Sequence, residues 1–138
     1  MAISGTSADI VLLVGRILFG GVLAFMGLNH FMQTDGMAGY AESKGIPAPR
    51  LSVLLSGLLL AASGLGIVLG AFPLLAAAGL VVFFLVTTPT MHDFWAASEA
   101  EAQQEMTQFL KNAALLGGSL AFIALSRETW AYAIGVGL

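Results

Sequence analysis

The run LSVLLSGLLLAASGLGIVLG, Leu51 to Gly70, contains no charged residue. At about 1.5 Å of rise per residue, twenty helical residues reach about 30 Å, the hydrocarbon thickness of a bilayer. The run lacks the ten-residue alternation of a membrane-barrel strand, and it is longer than a buried strand. It therefore predicts a transmembrane helix. Gly70-Ala71-Phe72-Pro73 follows directly, a Gly suited to ending one helix and a Pro suited to opening the next. An apolar run then resumes from Pro73 to Thr88, so these two spans are antiparallel neighbours.

Working outward, two more spans appear. One runs from Ile10 to Leu28, interrupted only by Arg16, and another from Phe109 to Leu125, with Lys111 and Asn112 at its start. The fold expected is all-α: an integral membrane four-helix transmembrane bundle, one domain over residues 1–138. Composition agrees, with 58% hydrophobic and 9% charged residues and a mean hydropathy of +0.92. A soluble domain carries roughly 25% charged residues. The N-terminus has no basic stretch ahead of its first apolar run, so Ile10 onward is read as a retained helix and not a cleaved signal.

Several functional classes drop out. The five Lys and Arg are scattered, which leaves no footprint for nucleic acid. There is no cysteine, hence no thiolate metal site, iron–sulfur cluster or dithiol redox pair. Two histidines, His30 and His92, with Asp93 make too thin a ligand set for a metal, and both histidines lie near helix ends, which argues against a bis-histidine haem.

Between the spans, Gly36 to Ser43 is expected as a short interfacial helix, and Gly45-Ile46-Pro47-Ala48-Pro49 interrupts it. Ser98-Glu99-Ala100-Glu101 fits a capping box that starts a helix running unbroken into the fourth span. After Ser126-Arg127-Glu128 comes an apolar tail too short to cross, whose Trp130 and Tyr132 suit the membrane interface. Four spans put both termini on one face and both long loops on the other. Lys44, Arg50 and Lys111 on the loop side nearly balance Arg16 and Arg127 on the terminal side; the reading taken has cytoplasmic termini.

Two kinds of residue carry chemical interest. Arg16, Gly20, Leu23, Gly27 and His30 are spaced 4, 3, 4 and 3 apart, so they share a helix face. In the second span Ser52, Ser56, Ser63, Gly66 and Gly70 form a similar small-residue stripe, and both stripes suit close helix packing or self-association. Arg16 stands about two turns inside its span. It either snorkels or pairs with Glu128, or it contacts an anionic group of a lipid, substrate or quinone. On the loop side, His30, His92, Asp93, Trp95, Glu105, Lys111 and Asn112 are brought to one membrane face, where a shared pocket containing both histidines is expected. An imidazole beside carboxylates is suited to proton relay or to a quinone head group. The alternative is an ordinary polar cap joining helix ends to loops.

Five segments in order, Gly15-Arg16-Ile17-Leu18-Phe19-Gly20-Gly21, Gly27-Leu28-Asn29-His30-Phe31, Gly45-Ile46-Pro47-Ala48, His92-Asp93-Phe94-Trp95 and Phe109 to Gly118, resemble the DoxX family. That family is distantly similar to the eukaryotic Surfeit-locus cargo receptor. The resemblance implies a four-helix protein of a prokaryotic cell membrane. It also implies a small subunit or accessory protein of a redox assembly, in some relatives quinone-linked. The alternative it leaves open is a non-catalytic scaffold or binding protein for a lipid, hydrophobic ligand or protein partner, including a homo-oligomer. Arg16, His30, His92, Phe94, Trp95, Lys111 and Asn112 match recurring family positions. One departure stands out: where many members carry a Glu before Gly-Gly in the second span, this chain has Leu54-Leu55-Ser56-Gly57.

Overall fold

The computed structural model describes residues 5–137. Its helices are α1 (Thr6–Met32), α2 (Thr34–Ser43), α3 (Pro49–Leu69), α4 (Pro73–Met91) and α5 (Glu99–Leu125), with a short 3-10 turn at Phe94–Ala96 before α5. α1, α3, α4 and α5 are the long apolar helices, each able to cross a membrane. The chain is thus an all-α, integral membrane bundle of four spans. α2 begins two residues before its expected start, and α5 runs unbroken from the loop into the fourth span, as expected.

The turns follow from backbone chemistry. Gly70 ends α3 in the left-handed region, at φ 67, which Gly adopts without a Cβ penalty. Pro49 and Pro73 occupy the first turns of α3 and α4, where a missing N–H costs nothing. The proposed capping box does not form: Ser98 makes no side-chain bond at the start of α5. Its backbone carbonyl instead accepts from Glu101 and Ala102, at 3.0 and 2.8 Å.

The spans pack as a ring, α1 on α3, α3 on α4, α4 on α5. Phe19 of α1 closes the ring by meeting Phe122 of α5, with centroids 5.1 Å apart. Leu23, Leu60, Ile67, Leu80 and Phe84 fill the interior. Val11, Leu18, Phe25, Leu55, Leu75 and Val82 point outward and are exposed. In water these faces would drive aggregation; a bilayer accepts them.

The α1–α3 seam is the most extensive helix contact in the bundle. The buried residues of α1 are Arg16, Gly20, Leu23 and Gly27, as the 4-3-4 spacing predicts. A Cβ on Gly20 would stand 2.5 Å from the Gly64 carbonyl oxygen, and one on Gly27 would stand 2.5 Å from the Ala61 nitrogen. The facing stripe on α3 differs from the expected one. Val53, Gly57, Leu60, Gly64 and Ile67 are buried, and Ser52 and Ser56 are not. The 3-4 steps of Gly57, Leu60, Gly64 and Ile67 track a partner helix, whereas Ser63 and Gly66 turn toward α4.

Arg16 departs furthest from expectation. It does not snorkel, and among the described residues it has no acidic partner, Glu128 included. It is fully buried, and its guanidinium donates to four backbone oxygens: Ile67 (3.1 Å), Val68 (2.7 Å), Ala131 (2.8 Å) and Tyr132 (3.1 Å). Ile67 and Val68 lie in the last turn of α3, where carbonyls lack helical donors and the helix dipole favours a cation. Ala131 and Tyr132 belong to the C-terminal segment, which folds back over the bundle end. There Ile134 N–H donates to Leu69 O (2.8 Å) and Phe72 N–H to Val136 O (2.6 Å). Trp130 is therefore not an interfacial residue: it is buried against Phe122, 5.2 Å from the Arg16 guanidinium carbon, and its indole N–H donates to Leu125 O. Tyr132 stays exposed, as the interfacial reading expects.

Two substitutions of identical chemistry test the seam. Gly27→Ala should lower stability by about 1–3 kcal/mol, because the methyl meets backbone that cannot yield. Gly15→Ala, where a Cβ meets nothing within 4 Å, should be neutral or slightly stabilising. Thermal unfolding in detergent, followed by circular dichroism, reads the difference, and equal behaviour of the two variants would remove the close-packed seam.

Candidate functional site

On the loop side, the first loop folds as α2 and lies on α3, which brings Tyr40 and Lys44 across to the end of α4 and the start of α5. Glu105 is one turn and a half into α5 and is held from two sides. His92, which ends α4, places Nδ1 3.0 Å from Glu105 Oε2. Tyr40 directs its hydroxyl at Glu105 Oε1, with the Met91 carbonyl 3.0 Å from the same hydroxyl. Beside this trio Lys44 Nζ donates to Asp93 Oδ1 at 2.5 Å and lies over the Tyr40 ring. Two acids, an imidazole, a phenol and an amine from three segments thus form one network of two hydrogen-bonded sets, which meet where Lys44 lies over the Tyr40 ring.

The network borders an open cleft of ≈ 420 Å³ lined by Tyr40, Ser43, Lys44, Ser98, Glu101 and Glu105, among others. Burial first, and then the Glu105 hydrogen bond and negative charge, push the Tyr40 phenol well above its ordinary value. The Asp93 hydrogen bond raises the Lys44 ammonium against a smaller opposing effect of burial. Phe94, Trp95 and Phe109 stack edge to face at 5.3 to 5.9 Å and seat the 3-10 turn on α5, which fixes the angle at which His92 and Asp93 are presented. Trp95 itself is 61% exposed and serves the site through this stack, not by lining the cleft.

The remaining sequence candidates stand apart. His30 Nδ1 donates to its own helix at Met26 O (2.9 Å), its Cβ packs on Gly57, and its ring stands edge-on to Phe83. No hydrogen bond or ion pair joins His30 to His92 among the described residues, so the expected shared pocket does not form through contacts. His30 belongs to the interior between α1, α3 and α4; His92 belongs to the network. Lys111 is exposed and donates to Gln108 Oε1 at 2.6 Å. Asn112 is buried and its amide makes no hydrogen bond among the described residues. Among those residues, no group of three His, Cys, Asp or Glu is placed to hold a metal ion. Tyr40 and Lys44 are the participants that sequence reasoning missed. The available signal was a phenol and an amine spaced four apart, on the short α2 and at its C-cap, hence on one face.

The family model described as DoxX matches residues 11–93, more than half of the chain. The chain belongs to the DoxX family. No curated protein and no solved structure matches it. The matched region of this DoxX protein contains Arg16, His30, Tyr40, Lys44, His92 and Asp93. Glu105, the carboxylate at the centre of the network, lies beyond it on α5. The exposed apolar faces of the four spans place the protein in a lipid bilayer.

The alkaline side of the pH scale tests this geometry. Both raised groups stabilise the native state below their ordinary values near pH 10, and that contribution is lost only as pH rises through the raised ones. In a Tyr132→Phe background the ultraviolet absorbance of phenolate should show Tyr40 ionising well above pH ~10. Glu105→Gln should bring that step back toward the ordinary value. Ionisation of the parent at an ordinary phenol's pH would contradict the Tyr40–Glu105 bond.

Proposed function

We propose that this DoxX protein is a small accessory subunit of a membrane redox assembly, quinone-linked, and not a catalyst on its own. In this reading the loop-side cleft receives a polar group of that assembly, either a quinone head group or a side chain of a partner subunit. The observation that carries it is the hydrogen-bonded set His92–Glu105–Tyr40 beside Lys44–Asp93 at the edge of an open cleft. Ionisable groups at a membrane face carry a desolvation cost, and the His92–Glu105–Tyr40 hydrogen bonds offset it while leaving a route for a proton between imidazole and carboxylate. His92 and Glu105 exchange that proton, and Tyr40 and Lys44 hold the carboxylates in place. The absence of cysteine removes thiol and cluster chemistry from this chain, so electron transfer falls to a partner. The membrane is a prokaryotic cell membrane, with the termini cytoplasmic.

Native mass spectrometry of the protein, released from its own membranes in mild detergent, tests this reading. A bound quinone or a cofactor-bearing subunit is expected, and His92→Ala combined with Glu105→Gln should reduce its occupancy about tenfold or more, the loss of a charge-assisted hydrogen bond or two. A bare monomer or homo-oligomer from those membranes would sink the proposal.

A further inference from the structure

Glu105, Asn112 and Ser119 follow one another at steps of seven on α5, so they share one helix face. That face points into the bundle. Asn112 is 5% exposed and Ser119 is fully buried, whereas Lys111, Ala113 and Ala114 beside them are exposed. Lipid therefore does not reach the Asn112 amide, and no hydrogen-bonding group among the described residues pairs with it. Hydroxyls of the spans avoid this position by folding back on their own helices, Thr87 on Phe83, Thr90 on Val86 and Ser119 on Leu115. Thr88 does not, and its hydroxyl is buried with no partner among the described residues. On α4, Thr88 stands one turn inward of His92, about 6 Å deeper; on the antiparallel α5, Asn112 stands two turns inward of Glu105, about 10 Å deeper. His92 and Glu105 are bonded at 3.0 Å, so Thr88 and Asn112 are the next polar residues along the same helix contact.

A third group lies at this depth. The stacked rings of Phe19 and Phe122 tie α1 to α5 and mark a common level. His30 lies eleven residues from Phe19, about 16 Å toward the loop side, and Asn112 lies ten residues from Phe122, about 15 Å the same way. Eleven residues is close to three full turns, so His30 also shares the face by which Phe19 meets α5. With Nδ1 donating to Met26 O, the Nε2 of His30 is left as an acceptor, and it too has no partner among the described residues.

Buried polar groups without partners are costly, and native interiors leave few of them. Three at one depth, on three helices, directly inward of a hydrogen-bonded network, are satisfied together by water, which both donates and accepts and which buried polar groups commonly hold. The distance of about 10 Å between Glu105 and Asn112 suits a file of about three waters at hydrogen-bond spacing. Farther in, Leu23, Leu80 and Phe84 fill the interior and Ser119 is already bonded, so the file ends at Asn112.

We propose that a file of water enters the bundle from the loop-side cleft between α1, α4 and α5, with Glu105 at its mouth and Asn112 at its floor, and joins His30 to the His92–Glu105 pair. The Asn112 amide anchors the innermost water. A proton passes between Glu105 and the His30 Nε2 by relay: each water accepts one proton and releases another, so only the two end groups change. The file opens to one membrane face, and therefore stores or supplies a proton without carrying an ion across. It needs neither a quinone nor a partner subunit.

The sequence has no cysteine, so one introduced thiol reports without background. The full chain in lipid nanodiscs receives a brief pulse of silver ion, which captures thiolate where water reaches it. Thiols that escape are then counted by alkylation in denaturing detergent and intact mass. Asn112→Cys should react within about tenfold of the rate of Gln104→Cys in the cleft, while lipid-facing Ala113→Cys and deeper Ser119→Cys should be about a hundredfold slower or more. Asn112→Cys as slow as Ser119→Cys would mean a dry interior and overturn the proposal. So would an equally fast Ala113→Cys, which would mean entry from the lipid side. The unaltered protein gives a second reading that no substitution can spoil. Solid-state nuclear magnetic resonance of the protein with isotope-labelled histidine should show magnetisation passing from water to the His30 ring as well as to His92. Asn112→Leu should remove the first transfer and leave the second. No transfer to His30 in the parent would overturn the file and leave the loop-side cleft, with the role proposed for it, untouched.

Discussion

A buried guanidinium with no acid beside it among the described residues organises one whole end of this molecule. Arg16 carries a charge that lipid cannot solvate, and the described residues offer it carbonyl dipoles and the face of Trp130 in place of a carboxylate. Those dipoles come from two sources that would otherwise have no reason to meet: the last turn of α3 and the folded-back segment after α5. The planar fork of Arg reaches both at once, which the single ammonium of Lys does not. α1, α3 and the C-terminal segment are thereby tied at one point, and the unsatisfied carbonyls at the end of α3 find donors.

Arg16 also lies on the same face as Gly20 and Gly27, so the clamp and the seam are one continuous contact surface. The glycines let the backbones of α1 and α3 approach, and that approach puts the Arg16 side chain within reach of Ile67 and Val68. Lipid supplies no hydrophobic drive for helices to associate, so close packing and interhelical hydrogen bonding carry the burden. With the terminal end fixed in this way, the loop end can hold a more open and more polar arrangement, and the network around Glu105 is found there.

Much of the architecture was legible in the residues. The charge-free run from Leu51 to Gly70, the Gly70–Pro73 turn, the unbroken helix from the loop into the fourth span and the buried stripe of α1 all follow from local composition and helical periodicity. What was not legible depends on chain segments far apart in sequence. The partners of Arg16 are backbone oxygens, which carry no residue-type signal, and half of them lie more than a hundred residues away. The α3 stripe differs from the expected one because Gly57, Leu60, Gly64 and Ile67 face α1, whereas Ser63 and Gly66 face α4. His30 and His92 share a membrane side, but the rotation of α1 turns His30 inward onto Phe83. Tyr40 and Lys44 became visible only once α2 was seen to lie on α3 and reach the start of α5.

A double-mutant cycle between Arg16→Met and removal of the segment after Thr129 tests the clamp most directly, with unfolding free energy read by denaturant titration in mixed micelles. Each change alone should cost about 3 kcal/mol or more, since it strands buried polar partners. Together they should cost clearly less than the sum, because both remove the Arg16 contacts to Ala131, Tyr132 and Trp130. Costs that simply add would mean that Arg16 and the C-terminal segment stabilise the bundle independently, and the account of this end of the molecule would fail.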